Sequence, residues 1–161
     1  MRTLLFVVLG CALAGCGFHL RGTADLPFDS VYVPNATAGI ALDLARNLRA
    51  GSNVKVVNDA KEAEAILEFS GETRAKEILS LTGAGRVREF RLRYRVGFRV
   101  HDGKGHDYVP QSTLDLTREV TYNDADVLAK ESEEQLLFRD MQGDMVQQIM
   151  RRLSSAQKPK A

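Results

Sequence analysis

Phe90, Leu92, Tyr94, Val96, Phe98 and Val100 occupy every even position of one stretch, and Arg91, Arg93, Arg95 and Arg99 occupy odd ones. A period of two over this length predicts a β-strand with its apolar groups on one sheet face and its arginines on the other. A strand covered on one side only belongs to an antiparallel sheet. Asp102-Gly103-Lys104-Gly105 predicts a hairpin turn, and the chain returns over about residues 108–122. On the return, Leu114, Leu116, Val120 and Tyr122 point inward, and Asp115, Thr117, Glu119 and Thr121 outward. Asp115 and Glu119 then face the arginines across the ladder, where each opposite-charge pair contributes about a few tenths of a kcal/mol.

Earlier segments are shorter. Ser30-Val31-Tyr32-Val33 reads as a β-branched strand stopped by Pro34-Asn35. Ile40, Leu44 and Leu48, with Ala41 and Ala45, recur at helical spacing over about residues 38–50, with Thr37 as the expected cap and Gly51 as the stop. Val54 to Val57 is a second short strand. Alternation of Ala65, Leu67 and Phe69 predicts a strand over residues 64–73; beyond it Ala75, Ile78, Leu79 and Leu81 fit a bent continuation of the strand, the favoured reading, or a helical turn, before the flexible turn Thr82-Gly83-Ala84-Gly85. Asn123, Asp124 and Asp126 supply cap and first-turn acids for a long helix whose stripe is Phe138, Met141, Met145, Ile149 and Leu153. These elements predict an α+β fold: an open, mostly antiparallel sheet of about four strands with two helices packed on one face.

The first residues change the picture. Leu4 to Ala14 is an apolar run behind a single basic residue, Arg2, and it ends in Leu13-Ala14-Gly15-Cys16. It is far shorter than the roughly 20 apolar residues of a membrane span and has the layout of a cleaved export signal. Leu-Ala-Gly-Cys resembles a bacterial lipobox, which implies cleavage before Cys16 and acylation of it. The expected organisation is a signal over 1–15, a leader over 16–27, one domain over 28–154, and a disordered tail over 155–161. A mature chain from Cys16 has 146 residues, enough for one domain with a core. Arg2 leaves with the signal, so 21 basic side chains balance 21 acidic ones and nothing favours nucleic acid. Cys11 leaves as well, and Cys16 becomes a thioether, so no disulfide is available.

Catalytic chemistry finds little support. The three histidines, His19, His101 and His106, accompany no nucleophile motif. His101-Asp102 with His106-Asp107 reads as a solvated turn rather than a metal site, and Glu133-Glu134 as solvated helix positions. The arginines remain. Arg93, Arg95 and Arg99 fit a sheet face paired with the next strand. Arg86 and Arg88 fall off that stripe beside the glycine turn, where guanidinium groups suit bidentate contact with phosphate.

Several pieces together resemble the LPS-assembly lipoprotein LptE family. The lipobox runs into Cys16-Gly17-Phe18-His19-Leu20-Arg21-Gly22, similar to that family's start. The Gly-containing turn before Glu89-Phe90 and the long alternating strand match its central hairpin. Tyr122-Asn123-Asp124, then Leu128-Ala129-Lys130-Glu131, match the entry to its last helix. The resemblance implies a non-enzymatic outer-membrane lipoprotein, without cofactor beyond the diacylglycerol and N-acyl chains on Cys16. It implies a plug in the lumen of the LptD β-barrel that assists barrel assembly and delivery of lipopolysaccharide to the cell surface. Gly17, with no aspartate after the cysteine, suits the outer membrane. Direct lipopolysaccharide contact is implied at Lys130, and Arg86, Arg88 and Arg91 are the further candidates. The alternative is a stand-alone periplasmic lipoprotein that binds another anionic envelope ligand or scaffolds a different complex.

Overall fold

The computed structural model describes residues 24–123 and 127–158. Cys16 and its lipobox, the helix-entry acids Asp124 and Asp126, and residues 159–161 lie outside them. Five strands form one sheet in the order β2-β1-β3-β4-β5, with β1 at Ser30–Tyr32, β2 at Lys55–Val57, β3 at Ala65–Leu81, β4 at Val87–His101 and β5 at Asp107–Thr121. The sheet therefore has one strand more than the expected four. The long strands β3, β4 and β5 are antiparallel, whereas β1 runs parallel to both β2 and β3. The parallel pairing follows from helix α1, Gly39–Gly51, which carries the chain back over the sheet between β1 and β2.

Ile40, Ala41, Leu44, Ala45 and Leu48 are the buried stripe of α1, as their spacing predicts. Its ends differ from expectation. Ala38, not Thr37, precedes the first turn, and no side chain caps it. Gly51 is the last helical residue, and Ser52 closes the helix by donating from Oγ to the Leu48 carbonyl at 2.6 Å.

One irregularity in β3 has large consequences. Ala65 and Leu67 are buried, but the register shifts between Phe69 and Gly71. Gly71 takes φ +154°, a conformation that side-chain-bearing residues rarely adopt. The bulge moves the inward positions from odd to even numbers. Glu72, Arg74, Lys76 and Ile78 then stand opposite Val96, Tyr94, Leu92 and Phe90, on the side that the helices cover. Arg74 and Lys76 thus point at the second helix, α2, Val127–Ser154. There Arg74 donates to Gln142 at 2.6 Å and Lys76 to Glu134 at 2.5 Å, while Gln142 donates to Asp43 of α1. Glu134, expected in solvent, instead faces the sheet.

The core lies between the even side chains of β4 and the two helices. Leu92, Tyr94, Val96, Phe98 and Val100 are buried against Met141, Met145, Val146, Ile149 and Leu153. Past α2 the tail expected to be free is held as far as Lys158, which pairs with Glu64 at 2.8 Å, and Ala156 packs on the core. Gly143 is exposed on α2, and a Cβ there would meet nothing within 4 Å. Gly143→Ala is expected to stabilise the protein by about 1 kcal/mol and to raise Tm by about 3 °C. Thermal denaturation followed by circular dichroism measures this; an unchanged Tm would mean that α2 frays independently of the core.

Candidate functional site

The odd residues of β4 form a polar face that no helix covers among the described residues. Arg91 pairs with Glu119 at 3.1 Å, Arg93 and Arg95 share Asp115 at 2.6 and 2.9 Å, and Arg99 pairs with Glu68 at 2.7 Å. Alternation alone predicted the pairing with Asp115 and Glu119 of β5, whereas the pairing of Arg99 with Glu68 of β3 was not anticipated. The guanidinium of Arg93, then that of Arg95, holds the Asp115 carboxyl down at about 2. A carboxyl depressed on folding contributes stability that is complete above its ordinary value and fades as pH falls through that value toward about 2. Asp115→Asn is therefore expected to lower stability at neutral pH, with the difference from the native chain vanishing near pH 2. Urea titrations at several pH values test it; a pH-independent difference would assign the loss to packing instead.

At the far end of the β3–β4 hairpin the chain turns tightly. Thr82 N–H donates to the Arg86 carbonyl at 2.7 Å, and Arg86 N–H donates to Thr82 Oγ1 at 3.1 Å. Arg86 is exposed beside this turn. Arg88 is exposed too, but it belongs to β4 rather than to a loop, and its carbonyl accepts from Tyr122 N–H at 2.8 Å. Pairing therefore reaches further toward the tip than the glycine-rich sequence suggests.

Lys130 sits on the first turns of α2 and turns toward the sheet. Its side chain is 22% exposed and donates to Glu133 at 2.8 Å. It lines a shallow cleft with Lys76, Phe90, Leu92, Val120, Tyr122 and Glu134. The Phe90 and Tyr122 rings meet edge to face at 5.2 Å, and Lys76 Nζ lies 4.3 Å from the Phe90 ring centre. The cleft is narrow, about 10 Å³, and each of its two ammonium groups is paired with a carboxylate, Lys76 with Glu134 and Lys130 with Glu133, beside an aromatic floor. Arg91 takes no part in it, since it points from the opposite sheet face and is paired with Glu119. Lys76 escaped the sequence reading because its inward orientation depends on the Gly71 bulge. The remaining signal was its register opposite Leu92, which no local pattern discloses.

Other features suit an anionic ligand less well. An open groove of about 500 Å³ beside the start of α1 is lined by Ile40, Ala41 and Phe69, but also by Glu68 and Glu72. His106 is engaged with Asp102 at 2.9 Å inside the β4–β5 turn, and that contact holds the Asp102 carboxyl well below the usual range. Among the described residues no group of three or more His, Cys, Asp or Glu side chains is placed to hold a metal ion, and no helix is long and apolar enough to cross a membrane.

Comparison with known proteins agrees with this architecture. A family model described as LptE, lipopolysaccharide-assembly, matches residues 28–153. The LPS-assembly lipoprotein LptE of Photorhabdus laumondii is 28% identical over 98% of this chain and 91% of its own length. Its counterpart from Yersinia pestis is 31% identical over 93% of this chain and 75% of its own. A lipoprotein B from Nitrosomonas europaea, solved by NMR, superposes with a TM-score of 0.74 at 44% identity, covering 86% of this chain and 91% of that one. Two helices on one face of a five-stranded mixed sheet, over nearly the whole matched length, place the chain in the LptE lipopolysaccharide-assembly family.

Proposed function

We propose that the protein is a non-enzymatic outer-membrane lipoprotein, anchored through acyl chains on Cys16, that plugs the LptD β-barrel, assists its assembly and binds lipopolysaccharide. The observation that carries the reading is the self-neutralised polar face of the sheet. An uncovered face of four arginines paired with Glu119, Asp115 and Glu68 is poorly suited to lipid but matches the polar interior of a transmembrane barrel. Dimensions support it: the 17 residues of β3 extend about 50 Å, longer than the roughly 30 Å hydrocarbon layer that a barrel spans. Ala24 bridges to Ser52 at the end of the sheet away from the Thr82–Arg86 turn, so the leader departs from the opposite end to the basic tip.

In this reading Lys130, with Arg86 and Arg88 near the tip, engages the phosphates of lipopolysaccharide, and Lys76 joins them from β3. Co-purification from membranes is the first test. A stable one-to-one complex with a large β-barrel is expected, and its absence would leave a stand-alone lipoprotein. In the same preparation, Arg86→Ala combined with Lys130→Ala should lose lipopolysaccharide while retaining the native melting curve. Undiminished binding would overturn the site assignment.

A further inference from the structure

We infer that His101 is a proton-sensitive latch on the β4–β5 turn: its neutral ring holds the Gly103 corner down, and its protonated ring releases that corner and turns to Glu68. The inference is independent of the lipopolysaccharide reading, because this turn lies at the end of the sheet away from the Thr82–Arg86 turn. His101 closes β4, and its side chain is only 13% exposed. It is therefore not the solvated turn residue that its sequence neighbourhood suggests.

The two ring nitrogens have unlike neighbours. Gly103 N–H donates to Nδ1 at 3.0 Å, so Nδ1 is the acceptor and the neutral ring carries its proton on Nε2. Nε2 is sealed from solvent without an aligned hydrogen-bond partner, although Glu68 Oε1 lies 3.2 Å away. A proton added at Nδ1 sets two N–H groups against each other, and the Gly103 contact is lost. The same proton puts a positive charge beside Glu68, so the ring turns to align Nε2–H with Oε1. Each protonation state thus favours one of two neighbours.

The surroundings support the second state without dismantling the sheet. From β3, Glu68 is kept ionised chiefly by its hydrogen bond from Arg99, which uses Oε2 and leaves Oε1 to the ring. From β5, Asp107 stands opposite His101 in the ladder. Just before β3, Glu64 is matched by Lys158. Within the turn, Asp102 accepts from the N–H groups of Lys104 and His106 and contacts the His106 ring, while its own N–H donates to the His106 carbonyl at 3.0 Å. None of those bonds involves His101, so the base of the turn stays closed and only the Gly103 corner is released. Gly103 takes φ +71°, and a Cβ on it would stand 3.2 Å from Ile66 Cδ1, so the corner lies close over Ile66. Its release uncovers an apolar side chain at the start of β3.

NMR of the full chain in detergent, titrated from about pH 8 to about pH 5, tests the latch. It reads the His101 ring nitrogens and the hydrogen-exchange protection of the Gly103 amide, corrected for the intrinsic effect of pH. At the alkaline end the Nε2-protonated tautomer and a protected Gly103 amide are expected. As the His101 ring titrates, Gly103 protection should fall about fivefold with the same midpoint, while the Lys104 and His106 amides keep theirs. His101→Asn places an oxygen where Nδ1 stands and should hold the Gly103 amide throughout the titration. His101→Gln places its amide at the Nε2 position and should leave Gly103 unprotected throughout. Melting curves verify both folds, and the native chain decides the matter alone if either variant unfolds. An Nδ1-protonated tautomer at the alkaline end, a His101 ring that does not titrate in this range, or Gly103 protection unmoved through its titration would overturn the latch. So would a native pH response in folded His101→Asn, which would assign the response to His106.

Discussion

Tyr94→Ala is expected to cost about 4 kcal/mol, a large share of the roughly 5–15 kcal/mol that holds such a domain folded. Tyr94 is the largest fully buried side chain and occupies the middle of β4, under α2. Its ring lies 4.7 Å below the Arg74 guanidinium, and its hydroxyl donates to Glu72 at 2.7 Å. Burial first, and Glu72 second, push its hydroxyl pKa well above the ordinary phenol value, so it remains a donor at any physiological pH. Truncation removes the ring, opens a cavity and strands two β3 charges that the bulge at Gly71 turned inward. Tyr94→Phe separates these effects. It keeps the ring and loses one hydrogen bond to a partly solvated carboxylate, a cost of about 1 kcal/mol. Urea denaturation of both variants measures the difference. A Tyr94→Ala loss below that of Tyr94→Phe would contradict the central role of the ring.

In cells that lack the barrel partner, Cys16→Ser is expected to move the protein from the membrane fraction to the soluble fraction of the envelope, with the fold unchanged. Each buried acyl methylene contributes about 0.8 kcal/mol, and stable anchoring needs more than one chain. Without the thiol none can be attached, and among the described residues no helix replaces the anchor. Fractionation of cells expressing each form measures it. A serine variant retained in the membrane at the native level would refute acylation at Cys16 if the barrel is absent. Retention only when the barrel is present would instead assign the hold to that partner.

Much of the sheet was legible in the chain. Six even apolar residues and four odd arginines in β4 specify two faces without reference to anything distant, because successive side chains of a strand must alternate. The acids of β5 fall opposite those arginines through one short turn, so Arg91–Glu119 and Arg95–Asp115 could be anticipated. The strand number could not. With three residues each, β1 and β2 carry too few positions for a period, and their pairing depends on where α1 returns the chain. The candidate cleft was half legible: Lys130 came from the resemblance, and Lys76 and Glu134 did not come at all.

The sequence by itself determined the polar and apolar faces of β4 and β5 and the stripes of both helices. Each is written within a few residues of itself, as a local period or a short motif. Only the tertiary structure decided which charges share a site. The bulge at Gly71 reverses the faces of β3 as far as Ile78. It brings Lys76 beneath α2 beside Lys130, while the sheet between them keeps Arg91 on the other side. Residues 54 positions apart meet there through pairing, and no local pattern of either segment records that meeting.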